Sequence, residues 1–123
     1  MSLLSPAGTA LVRLMGDLPR GPRREGVFAL WLTLRVAEDL LLVPPPPERA
    51  SKRRVAALEQ RLSSLSFPAP LRRALVATLT ELKEARRDRV AQALLLLVAP
   101  ARDALGPEAS EILARAARSA GQR

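Results

Sequence analysis

No cysteine, histidine, tyrosine or asparagine occurs anywhere in the chain. Without thiols, disulfides and thiolate metal sites are excluded. Without imidazole, His-based catalytic triads are excluded, and zinc sites and di-iron centres lose their usual nitrogen ligand. The six glycines are scattered, and no Gly-x-x-x-x-Gly-Lys phosphate loop is present. Aromatic rings are limited to Phe28, Trp31 and Phe67, so stacking platforms for bases are nearly absent. Isoleucine occurs once, as Ile112, and lysine twice, as Lys52 and Lys83, against 18 arginines. The missing types have AT-rich codons, which predicts a GC-rich, bacterial genome and discounts part of the arginine excess as codon usage.

What is present suffices for a globular core. Apolar residues make up 48% of the 123 residues and charged residues 26%, too apolar for a disordered chain. The length is that of one domain, 1–123, with frayed ends expected at about 1–4 and 120–123. The longest apolar stretch, Gly26 to Val43, is interrupted by Arg35, Glu38 and Asp39. Each such charge costs at least ~2.5 kcal/mol at a bilayer centre, so no membrane span is expected. Met1 to Leu18 lacks the pattern of a secretory leader, and the expected compartment is the cytoplasm.

The pattern along the chain is helical, with proline as punctuation. No segment alternates apolar and polar residues with period two. Ser5 and Pro6 supply an N-cap and first-turn proline for a helix to about Met15, with Leu11, Leu14, Met15 and Leu18 on one side. A second helix, about Glu25 to Leu42, is apolar nearly all round and reads as the buried centre. Pro44 to Pro47 then force an extended connector. A third helix, about Glu48 to Leu65, carries the seam Val55, Leu58, Leu62 and Leu65. Phe67 is expected to fold back onto the core. A fourth helix, about Leu71 to Arg86, turns Leu71, Leu75, Leu79 and Leu82 inward. A fifth, about Arg89 to Ala99, contains VAQALLLLVA and is expected to be deeply buried until Pro100 kinks or restarts it. A sixth, about Pro107 to Ser119, has acids at its start and arginines at its end, matching the helix dipole. The expected fold is all-α, a compact bundle of about five or six short helices with proline-rich connectors.

Three features bear on function. Arg35, Glu38 and Asp39 lie at i, i+3 and i+4, sharing a face of the second helix with Phe28 and Trp31. Trp31, Arg35, Glu38 and Asp39 are therefore candidate partner-binding residues, although Arg35 could simply neutralise the acids. The same two acids are the basis of a remote third reading, a carboxylate-dependent enzyme. Second, residues 47–89 hold 11 Lys/Arg and 5 Asp/Glu, so +6 of the total +8 lies there. Arg49, Lys52, Arg53, Arg72, Arg73, Arg86, Arg87 and Arg89 form a candidate phosphate-contacting set if their helices align, and a solvated surface if they do not. Third, the second and fifth helices carry more apolar surface than a domain this small easily covers. A leftover stripe would mark a partner or self-association site.

The leading expectation is a non-enzymatic helical protein–protein interaction module (an adaptor, accessory subunit or homo-oligomer) using apolar helix faces rimmed by arginine. The alternative is a nucleic-acid-binding protein using the arginine set of the third and fourth helices. Neither reading calls for a metal or a cofactor.

Overall fold

In the computed structural model, residues 5–41, 48–64, 68–84 and 87–121 are described, and they form six helices. These are α1 (Ser5–Asp17), α2 (Pro22–Leu41), α3 (Glu48–Ser64), α4 (Ala69–Lys83), α5 (Arg87–Leu105) and α6 (Pro107–Gly121). The described part of the chain is all-α, a compact bundle. The expectations for Pro44 to Pro47 and Phe67 fall outside the described residues.

Proline and glycine set several boundaries. Pro22 and Pro107 open α2 and α6, and Pro68 and Pro70 flank the start of α4. Their missing N–H groups fall where a helix has no internal acceptor to offer. Gly106 ends α5 in a left-handed conformation, φ 98°, with its N–H donated to the Arg102 carbonyl at 3.0 Å. A side chain there would be strained by φ and would also meet the Arg23 guanidinium at 2.7 Å.

Pro100 does not end α5. The helix runs through it to Leu105, correcting the expected end near Ala99 and restart. Two effects outweigh the local penalty of ~3 kcal/mol. First, α5 packs along both α4 and α6. Second, the carbonyl that loses its donor belongs to Leu96, the most exposed large apolar residue described, so water can reach it.

The arrangement is a hub with a ring around it. Helix α2 touches every other helix. Around it the remaining five contact one another in the spatial order α1, α6, α5, α4, α3. The ring does not close, because α1 and α3 share no contact among the described residues. Central position explains the α2 sequence: Val27, Ala29, Leu30, Leu32, Leu34, Val36 and Ala37 are all buried, around all of the helix but one edge. Thr33 is buried too, its hydroxyl satisfied by the Ala29 carbonyl at 2.7 Å.

The ring contributes Leu11, Leu58, Leu71, Leu75, Leu94, Leu97 and Leu113, each essentially without solvent exposure. Fully burying one such leucine contributes about 1.5–3 kcal/mol. Small residues set the closest approaches. Gly26 of α2 lies where a Cβ would collide with the Leu105 side chain. Helix α6 buries Ala109, Ala116, Ala117 and Ala120.

Candidate interaction surfaces

The opening between α1 and α3 exposes one edge of α2. Along that edge Glu25, Phe28, Trp31, Arg35 and Glu38 recur at three- and four-residue spacing. Phe28, Trp31 and Arg35 are half-buried. The Phe28 and Trp31 rings stand 5.7 Å apart and tilted by 37°. The Trp31 indole borders α1 at Gly8, where an added Cβ would lie 3.8 Å from Nε1. From the other side, Arg61 of α3 places its guanidinium 4.5 Å from the Phe28 ring centroid, and its Nη1 lies 3.2 Å from Glu25 Oε2. One cation thus serves a π face and a carboxylate together, tying α3 to α2. Phe28, Leu32, Ala57, Gln60 and Arg61 line a groove of about 370 Å³ beside this contact.

Trp31, Arg35 and Glu38 lie together on this edge, at the register their spacing implies. Arg35 Nη1 reaches Glu38 Oε1 at 3.4 Å, and the Glu38 side chain retains 11% of its exposure. The Glu38 carboxylate is thereby matched within its own helix. The Asp39 side chain lies outside the described residues. Among the described residues no group of three or more carboxylates could hold a cation.

A second surface lies on α5. Its exposed residues are Asp88, Arg89, Gln92, Leu95, Leu96, Ala99, Arg102 and Asp103. They form a single stripe, with 3.6-residue periodicity, on the side turned away from α2, α4 and α6. From Val90 to Ala101 the helix carries no charge. At the centre Leu95 is 50% exposed and Leu96 76% exposed, which corrects the expectation that this run is deeply buried. The buried side consists of Val90, Ala91, Leu94, Leu97, Ala101 and Leu105. Asp88, Arg89, Arg102 and Asp103 form no ion pair among the described residues, unlike Arg35, Arg61, Lys83 and Arg115.

The arginine set is divided. Arg72 donates from Nη1 to the Leu62 carbonyl at 2.7 Å, completing a backbone acceptor in the last turns of α3. Lys52 and Arg53 are exposed near the start of α3, about 14 Å along the axis from that contact at 1.5 Å per residue. Arg73 and Arg89 are exposed on α4 and α5. Arg86 and the side chains of Arg49 and Arg87 lie outside the described residues.

Sequence reasoning missed Arg61, Arg23 and the polarity of α5. The partners of Arg61 and Arg23 are 36 and 82 residues away, Glu25 and the Leu105 carbonyl, and no local pattern signals contacts at that separation. Among the described residues no helix is long and apolar enough to cross a membrane. No protein-family model, no curated protein and no solved structure matches this chain.

Proposed function

We propose that this chain is a non-catalytic helical interaction module that engages another protein surface through the outer face of α5. The observation that carries this reading is the pair Leu95 and Leu96. Two leucines sit half to three-quarters exposed in the middle of a stripe with no charge for three turns. Isolated apolar residues at a surface need no explanation, but a contiguous apolar centre with charged ends has the make-up of an interface core and its polar rim. Arg89 and Arg102 supply the arginine of that rim, with acids beside them. The α2 edge is the lesser candidate, because Arg35, Glu38, Arg61 and Glu25 already pair with one another.

The test is a Leu95→Glu/Leu96→Glu double variant of the whole chain. Both positions face solvent, so helicity and melting should match the parent. The parent is expected to associate, with itself or with a second protein from its source, and the variant to lose that association. A parent that is strictly monomeric at about 100 µM, and loses no bound protein on substitution, would overturn the proposal. Retardation of generic duplex DNA at low salt, falling with a logarithmic slope near −0.9 per phosphate contact, would favour the nucleic-acid alternative instead.

A further inference from the structure

We infer that the partner of the α5 face is a second copy of this chain, packed antiparallel across a two-fold axis that passes between Leu95 and Leu96. This rests on reading the α5 stripe as an interaction surface and names its occupant.

The argument comes from a symmetry in one helix. The exposed residues of α5 pair off about the midpoint of Leu95 and Leu96: Leu95 with Leu96, Gln92 with Ala99, Arg89 with Arg102, Asp88 with Asp103. The chemistry repeats the symmetry, since the segment from Asp88 to Asp103 reads acid–base, twelve uncharged residues, base–acid. A two-fold interface requires one patch to complement itself. In an antiparallel pair the start of one α5 lies against the end of the other.

Helical geometry then decides which charges meet. At 100° per residue, taking the Gln92–Ala99 line as the centre of the stripe, Arg89 falls to one side with Asp103. Asp88 and Arg102 fall to the other side. A two-fold perpendicular to the helix keeps each residue on its own side. Arg89 of one copy therefore meets Asp103 of the other, and Asp88 meets Arg102. Four ion pairs close the two ends of a leucine centre. These are the exposed α5 charges that form no ion pair among the described residues. The pairing also resolves an electrostatic difficulty: two chains of net charge +8 repel, and this face carries no net charge, with two acids and two bases. A contact built mainly on one helix pair falls in the small-interface class, so dissociation constants on the order of micromolar are expected.

The test uses the full chain and sedimentation equilibrium. Arg89→Asp sets acid against acid at both symmetry-related ends and should weaken dimerisation about tenfold, at ~0.7 kcal/mol for each of two exposed pairs. Arg89→Asp/Asp103→Arg should restore it. The two positions lie 14 residues, about 21 Å, apart on one helix, so rescue reports contact between copies. Both changes suit the helix dipole and leave folding intact. Because the chain has no native cysteine, single cysteines report the direction of packing. Leu95→Cys should form a disulfide with itself. Gln92→Cys should not, its copy being displaced by about seven residues, but it should cross-link to Ala99→Cys in a mixture. A monomer throughout, self-linking of Gln92→Cys, or no rescue in the double charge variant would overturn the inference. A monomer whose Leu95→Glu/Leu96→Glu variant loses a different bound protein would overturn it while leaving the interaction-module reading standing.

Discussion

Helices α2 and α5 are the two most continuously apolar segments of the sequence, and the fold treats them in opposite ways. Helix α2 is enclosed by five neighbours and keeps only a narrow edge in contact with water. Helix α5 is held by α4, α6 and α2 and leaves a full stripe bare. The difference follows from place in the architecture. A hub inside a ring of five can be apolar on all sides, whereas a ring member always has an outer side. Leucine on that outer side is not required by the fold, and this is what makes Leu95 and Leu96 informative.

The contrast can be broken by substitution, and the largest effect is expected at the hub. Leu30→Ala should destabilise by about 3 kcal/mol in chemical denaturation, from lost burial plus a cavity that five surrounding helices cannot collapse. A loss below ~1 kcal/mol would mean that α2 is loosely packed. Gly26→Val should cost about 2 kcal/mol, because its side chain would displace Leu105 where α2 meets the end of α5. Pro100→Ala should raise stability by about 1 kcal/mol, regaining a backbone donor in a helix that already continues past this position. A lowered melting temperature there would show that α5 needs its proline. Leu96→Lys should change stability by less than about 0.5 kcal/mol while abolishing association in light scattering. If it unfolds the protein instead, the bare stripe belongs to the core and the contrast with α2 disappears.

Much of this was legible in the sequence. The spacing of Leu71, Leu75, Leu79 and Leu82 identifies the buried side of α4, and that of Leu11 and Leu14 the buried side of α1, because Arg73 and Thr80 on the one helix and Arg13 on the other mark the outer side. The mixed edge of α2 could be read in the same way, since Arg35 and Glu38 mark it. The run LLLLVA in α5 contains no polar marker, so periodicity cannot say which leucines face out. Packing against α4 and α6 decides that Leu94 and Leu97 are inside. Pro100 was read from its local penalty alone, and the neighbouring helices outweigh it. Contacts such as Arg61 on Phe28 and Arg23 on the Leu105 carbonyl join helices remote in sequence and leave no local trace.

The position of the hub in the chain has a consequence for biosynthesis. Helix α2 leaves the ribosome after α1 and before the four helices that complete its cover, the last of which ends at Gly121. Until then its aliphatic sides have little to shelter them. An unfinished domain thus shows the aliphatic sides of α2 to chaperones and proteases, and its core closes only once α6 docks beside α1.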